Sequence, residues 1–480
     1  MRLGNFHIKT GSADAAATIL QTLSAFIETR LLPGARLCVG LSGGVDSVVL
    51  LHALDGLRRS GSGLQIDLSA IHVDHGLSSN AGVWAGFCGD FCRRLQVPLE
   101  IARVEVPRVS GEGLEGAARR VRYAAFAACR ADWLAVAHHR DDQAETVLFR
   151  LLRGAGVAGA AGMPAERPQR DGPRLIRPLL DVSRSLILRY AEIHSLAWIE
   201  DESNTDSHFR RNYLRGEVMP RIAVHFPGAA RALARAAGHF AEATALLDEL
   251  AKADRASLAG ECGRIDLARF NALSSARARN LLRSELLASG FRAPEARWLD
   301  EALRQLKTAV ASSQTCIATA DGEVHAYRGQ LYVVGQRPTL ADLVVPWNGE
   351  LALAWGDGRV SFVRGTGRGI SSRLLAAASP VVLRVRQGGE RLRPDARRPA
   401  RTLRNLLQEA AVPPWERTRL PLLCCGERLI WVAGLGVDAA FACAPDEEGV
   451  EPVWESSDGQ GPRGFPLPGT QAVCNGQAEG

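Results

Sequence analysis

Over the first two hundred residues, short runs of consecutive apolar positions alternate with longer stretches in which apolar residues recur every three or four positions. Arg36–Leu41 (RLCVGL), Asp67–Val73, Leu99–Val106 and Trp133–Ala137 read as strands. Between them, the run containing Val48, Val49, Leu51 and Leu54 reads as a helix, as do Trp84–Leu95 and Glu112–Arg130. A further helix is predicted over Asp141–Arg153, where Ala144, Val147, Leu148, Leu151 and Leu152 form one stripe. Strands alternating with helices predict an α/β fold with a parallel sheet covered on both faces. Such sheets bind ligands beyond the C-terminal ends of their strands.

The pattern continues through helices in Leu180–Ile222, interrupted by a polar loop at Asp201–His208, and then changes. Gly228–Leu258 is long, Ala-rich and helical in period; Leu267–Ser289 and Pro294–Ala311 are read as helices. Cys316–Val334 is predicted to be a hairpin turning at Asp321–Gly322. The expected organisation is a parallel-sheet domain at 1–222, a small helical domain at 223–340, an α+β C-terminal domain at 341–455 and a disordered, Gly/Pro/Ser-rich tail at 456–480.

Composition narrows the class. Of 480 residues, 46% are hydrophobic and 23% charged, which excludes a fibre, wholesale disorder or a small disulfide scaffold. The net charge of +6 permits a nucleic-acid partner without requiring one. Lys9, Lys252 and Lys307 are the only lysines, so positive charge is almost wholly arginine. The ten cysteines include no C-x-x-C pair; Cys88 and Cys92, four apart on a predicted helix, read as core. Met1–Thr10 carries no apolar run and no segment reaches the length of a membrane span. A cytoplasmic protein with free thiols is expected.

The main chemical signal is Ser42-Gly43-Gly44-Val45-Asp46-Ser47, between the first predicted strand and its helix. Small residues, consecutive backbone N–H groups and a helix N-terminus form an anion cradle. It is neither a Walker A loop, lacking G-K-[ST], nor a G-x-G-x-x-G turn. SGGVDS resembles the pyrophosphate loop of the ATP pyrophosphatase (PP-loop) superfamily. Further blocks narrow the likeness: IHVDHGLS from Ile71, EGAARRVRY from Glu115, AHHRDDQAET from Ala137 and RGAG from Arg153. IRPLL from Ile176, EDESN from Glu200 and RNYLR from Arg211 complete the set, with RQGGERLRP and VPPWERTRLPLL between 384 and 438. Together they resemble the tRNA(Ile)-lysidine synthetase family, closely over about 35–222 and again at 384–438. Asp74 departs from the Asn expected in the family's H-V-N-H-G block.

The resemblance implies an ATP-dependent ligase that joins lysine to C2 of the wobble cytidine in an isoleucine tRNA with anticodon CAU. ATP would adenylate the C2 oxygen, releasing pyrophosphate; the lysine ε-amine would then displace AMP. Mg²⁺ is implied as the partner of ATP. Asp46 is read either as a carboxylate holding Mg²⁺ or the incoming amine, or as an N-terminal residue answering the helix dipole. Asp142 and Glu145, three apart, share a helix face and suit an ammonium group; the alternative is a capping Asp141–Asp142 pair with a solvated Glu145. His138, at a strand end, could donate to a phosphate oxygen. Arg119, Arg122 and Arg211 are candidate phosphate or carboxylate ligands. A metal site at the His72/His75 and His138/His139 pairs is disfavoured because no acidic or thiol ligand set accompanies them. The oligomeric state is open, a homodimer being compatible.

Between 384 and 404 lie eight arginines (384, 386, 391, 393, 397, 398, 401 and 404) against Glu390 and Asp395, a local net of +6. This segment is expected to grip tRNA phosphates. Three other readings compete. A tRNA thiolase of the same superfamily would bring C-x-x-C pairs, which are absent. A small-molecule adenylating enzyme would lack the basic C-terminal segment. A catalytically idle nucleotide-binding protein would have lost some of Asp46, Asp142 and Glu145.

Overall fold

The computed structural model describes residues 10–60, 65–78, 80–107, 113–169, 172–200, 210–260, 264–309, 315–378 and 380–456. The predicted loop at Asp201–His208 and the tail beyond Ser456 lie outside them, as do most of the EDESN block, Cys262 and Cys474. The chain divides into two compact units, Met1–Leu247 and Asp248–Gly480.

In the first unit the elements run α1 (Thr10–Glu28), β1 (Ala35–Gly40), α2 (Val45–Arg59), β2 (Ile66–Asp74), α3 (Ala81–Leu95), β3 (Leu99–Arg103), α4 (Gly113–Ala127), β4 (Trp133–Ala135) and α5 (Arg140–Leu152). There follow α6 (Val157–Ala160), β5 (Glu166–Arg167), β6 (Arg174–Ile176), α7 (Arg184–Ile193), α8 (Arg210–Tyr213), a π-helical turn at Leu214–Val218, α9 (Met219–His225) and the long α10 (Ala229–Ser257), which continues into the second unit. The strands form one sheet in the order β3-β2-β1-β4-β6-β5, parallel except for β5.

Alternation along each strand explains the continuous apolar runs. Leu37, Val39, Leu41, Leu68, Ala70, Ala135 and Ile176 enter the core shared with α1, α2, α3 and α7. Their neighbours Cys38, Ile71, Leu134 and Leu175 turn to the other face, against Phe126 of α4. With both faces buried, a parallel strand has no polar side to show. Cys88 and Cys92 are core residues, as expected. Helix α1, which the periodicity did not single out, covers the sheet through Ile19, Leu23 and Ile27.

The order of strands positions the site. From β1 the chain moves to β2 and β3 on one side, whereas β4 pairs with β1 on the other, Val39 opposite Ala135. This is the topological switch point, where the turns after β1 and β4 diverge and leave a crevice. Those turns carry SGGVDS and AHHRDD.

The second unit holds two cores. The first combines β7 (Ile265–Asp266), α11 (Leu267–Ala272), α12 (Ser275–Ala288), α13 (Ala296–Thr308), β8 (Thr315–Ala318), β9 (Gly322–Tyr327) and β10 (Gln330–Gly335). Two local expectations are corrected here. The helix read over Leu267–Ser289 breaks at Leu273, and Ser274 caps the next helix by accepting from the Arg277 N–H. The hairpin is a meander in a four-stranded sheet of order β7-β10-β9-β8, because a second turn at Arg328–Gly329 has both φ angles positive. Beyond it, two antiparallel sheets of five and four strands share a second core with the helix Leu403–Glu409. Among the described residues, no helix is long and apolar enough to cross a membrane.

Candidate active site at the PP-loop

Residues 42–47 form a tight, internally bonded turn. The Ser47 Oγ accepts from the Ser42 N–H at 3.2 Å and donates to the Gly44 carbonyl at 2.9 Å. The Ser42 Oγ accepts from the Gly44 N–H at 3.3 Å and lies 3.1 Å from the Ser47 Oγ. Gly43 has φ +88°, and a Cβ there would come within 2.7 Å of the Ile199 Cδ1. Gly44 is the N-cap of α2 without a side-chain cap, so the helix start presents backbone donors.

Asp46 stands in the first turn of α2. Its Oδ1 is buried and accepts no hydrogen bond among the described residues. Burial raises its pKa, against the pull of His139. The His139 Nε2 lies 3.7 Å from that oxygen and 3.4 Å from the Asp142 Oδ2. His139 caps α5: its Nδ1 accepts from the Asp142 N–H at 3.4 Å, and the Asp142 carboxylate accepts from the His139 N–H at 3.1 Å. With Nδ1 accepting, the ring proton belongs on Nε2, facing the carboxylates.

Asp142 and Glu145 are both buried and share one partner. Arg215 donates from Nε to Glu145 at 2.8 Å, and from one terminal nitrogen to Asp142 at 2.6 Å and Glu145 at 2.9 Å. Arg211 stands further off, 3.8 Å from Asp142 and 3.7 Å from Glu145. Burial pushes the Asp142 carboxyl upward, but His139, Arg215 and His138 outweigh it and leave its pKa below the ordinary range. The expected alternatives mix here: Asp142 does cap α5, yet Glu145 is far from solvated. Asp141 takes a separate structural role, accepting from the Arg184 N–H at 2.9 Å at the start of α7.

His138, half-buried beside this pair, accepts at Nδ1 from the Arg177 Nε at 3.2 Å, so Nε2 is its donor. Burial, with Arg177, Arg211 and Arg119 nearby, lowers its pKa to about 3 against the opposing pull of Asp142. Arg177 is itself anchored to the Pro164 carbonyl at 2.7 Å. Arg119 is exposed on α4 and lies over the Tyr123 ring, 5.2 Å from its centre, acting on His138 through its charge. Arg122 donates to His75 at 3.3 Å. His72 bonds the Leu41 carbonyl at 2.9 Å and lies 3.5 Å from the Cys88 thiol, a structural post in the core. The departure at Asp74 has a simple reading: its Oδ1 accepts from the Gly76 N–H at 2.9 Å, a bond an Asn carbonyl makes equally well.

Sequence reasoning named Arg211 as a site residue, weighed His139 only in a disfavoured metal pair, and included Arg177 and Arg215 only within the IRPLL and RNYLR blocks. Arg215 was detectable: it lies four residues after Arg211, on the same helical face. No comparable signal marked Arg177, whose role depends on β6 lying beside β4.

The second unit revises the arginine segment. Arg384 and Arg386 turn inward to Glu390, at 3.0 and 3.7 Å, and Glu390 also accepts from the Gln387 and Gly388 N–H groups. Arg401 pairs with Glu409 through two bonds, one of 2.7 Å. Arg397, Arg398 and Arg404 are exposed. The outward charge is thus smaller than the composition implied, because part of it organises the RQGGE turn.

A glycine-rich loop at the switch point of a parallel sheet, beside a buried carboxylate pair, is the arrangement of the ATP-using PP-loop class. A family profile described as a PP-loop domain matches residues 15–222. Profiles for the TilS substrate binding domain and the TilS substrate C-terminal domain match 265–332 and 381–454. The chain is 46% identical over 430 residues to the tRNA(Ile)-lysidine synthase of Aromatoleum aromaticum, covering 89% of this chain and 99% of that protein. It is 40% identical over 437 residues to that of Nitrosomonas europaea, covering 90% and 94%, and 44% over 426 to that of Azoarcus sp. strain BH72, covering 88% and 92%. The chain belongs to the tRNA(Ile)-lysidine synthase family, and is an ATP-dependent ligase.

Proposed function

We propose that the Asp142–Glu145 pair receives the ε-ammonium of lysine, and that residues 42–47 hold the pyrophosphate end of ATP while C2 of the wobble cytidine in tRNA(Ile) with anticodon CAU is adenylated. The observation that supports this best is the Arg215 guanidinium clamped between the two buried carboxylates. The pair carries two negative charges against the one guanidinium bonded to it, which favours a second cation beside it. The substrate ammonium must lose a proton before its nitrogen attacks C2 and displaces AMP. Asp142, held below the ordinary carboxylate range, stays ionised and orients the ammonium, and the proton passes to solvent. Arg211 is suited to a substrate carboxylate or phosphate.

Asp46 fits a divalent cation, since its buried oxygen lacks a hydrogen-bond donor among the described residues and Mg²⁺ is usually bound by one or two carboxylates together with phosphate oxygens. Bound there, Mg²⁺ would neutralise charge on the departing pyrophosphate. His138, neutral with its donor on Nε2, is suited to hydrogen-bond a phosphate oxygen as charge develops. Because its pKa lies near 3, AMP formation should show no His138 titration between pH 5 and 8. His138→Asn is expected to lower the rate by about a hundredfold, evenly across that window. A wild-type inflection near pH 6.5 that the variant removes would contradict this.

In this reading 223–340 is a helical substrate-binding domain and 341–455 a C-terminal tRNA-binding domain. Replacing Arg397, Arg398 and Arg404 together with Ala should weaken tRNA binding. It should also reduce the salt slope by roughly 0.7–0.9 for each phosphate that the variant no longer neutralises. Arg401 is left out because two hydrogen bonds to Glu409 hold it, whereas Arg398 meets Asp395 only at 3.7 Å. Unchanged affinity and slope in a filter-binding titration would remove the segment from the tRNA path. The primary test of the function is incorporation of labelled lysine into a tRNA(Ile) CAU transcript with ATP and Mg²⁺. Folded protein that binds ATP yet transfers no label would overturn the assignment.

A further inference from the structure

Away from residues 42–47, one group of side chains among the described residues brings three potential metal-ligand atoms together. Cys316, Glu323 and His325 each present a donor atom within 4.8 Å of the other two. The sheet register brings them together. Cys316 on β8 lies directly opposite His325 on β9, and Glu323 precedes His325 by two, on the same face of the sheet. His325 is buried, with its Nε2 2.9 Å from Glu323 and its Nδ1 buried without a hydrogen bond among the described residues. Its ring is stacked on the indole of Trp415 with centres 3.8 Å apart and planes 17° apart, so its orientation is fixed.

We propose that Cys316, Glu323 and His325 form a zinc site. A thiolate, an imidazole and a carboxylate are the donors a borderline-soft ion takes, and three protein ligands leave one tetrahedral position for solvent. Two adjacent strands supply all three, so little chain has to be ordered on binding. Ligand atoms around zinc lie closer together than 4.8 Å, and the exposed side chains of Cys316 and Glu323 have room to close in. Zinc binds the thiolate, so uptake replaces the S–H bond with S–Zn and releases one proton to solvent. The ion would tie β8 and β9 to the ring packed on Trp415, a role separate from lysine transfer.

The test uses the full chain, stripped with chelator and titrated with Co²⁺ as a spectroscopic substitute, then with Zn²⁺ by calorimetry. Expected are one ion per chain, a thiolate-to-cobalt absorption band and proton release. Cys316→Ser should abolish the band and weaken Zn²⁺ binding at least tenfold; Glu323→Gln should weaken it at least tenfold. Both side chains are exposed, so neither variant threatens the fold. No stoichiometric uptake by the wild type, or a band and affinity unchanged in Cys316→Ser, would overturn the proposal.

Discussion

Asp142→Asn should reduce lysine incorporation into tRNA by about a hundredfold to a thousandfold while leaving ATP binding in place. The variant retains a side-chain oxygen that can accept from the His139 N–H, so the start of α5 keeps its cap. What it removes is one of two negative charges in a buried site that Arg215 bridges, bonding Asp142 at 2.6 Å and Glu145 at 2.8 Å. Breaking a buried, hydrogen-bonded ion pair costs about 3–5 kcal/mol, and about 1.4 kcal/mol is a factor of ten. The loss should appear mainly as a higher KM for lysine, with AMP formation in the adenylation half-reaction far less affected. Incorporation at the wild-type rate, measured with labelled lysine, would remove Asp142 from the lysine site.

Gly43→Ala is expected to disable the first half-reaction. At φ +88° an L-residue is strained by about 1–2 kcal/mol, and the new Cβ would meet Ile199, whose N–H is bonded to the Gly43 carbonyl at 2.9 Å. The Ile199 side chain can rotate away, but the backbone preference cannot be relieved without turning the peptide. That would misdirect the N–H groups of the cradle, and losing a single oriented donor typically costs about 10²–10³ in rate. AMP release should therefore fall by roughly a hundredfold or more. Gly34→Ala is the control: Gly34 has φ +82° with nothing near its would-be Cβ. It should cost similar stability and leave ATP chemistry intact. If both variants lose AMP release equally, the effect is general strain rather than the loop.

Much of this protein is written locally. The strand before SGGVDS is a continuous apolar run because both faces of a parallel strand are buried, and the turn is glycine because only glycine adopts the backbone angle at position 43 without strain. Helical spacing alone put Asp142 and Glu145 on one face. These readings needed only neighbours a few residues apart. Local pattern was weaker where a single residue redirects the chain. The capping Ser274 splits an otherwise continuous helical period, and the positive φ of Arg328 and Gly329 turns one hairpin into a meander.

The remainder depended on the folded chain, because charge and proton position are set by partners distant in sequence. Arg215 reaches Asp142 across 73 positions and Arg177 reaches His138 across 39; burial among such partners sets the protonation of the site. The same reason corrects the arginine segment. Composition counts eight equal charges, but folding turns Arg384 and Arg386 onto Glu390 and ties Arg401 to Glu409, leaving a smaller set facing outward. The order of residues specifies which chemistry the chain carries. Which groups meet follows from the packing of β1 against β4 and of β4 against β6, since a parallel sheet joins strands that the chain keeps far apart.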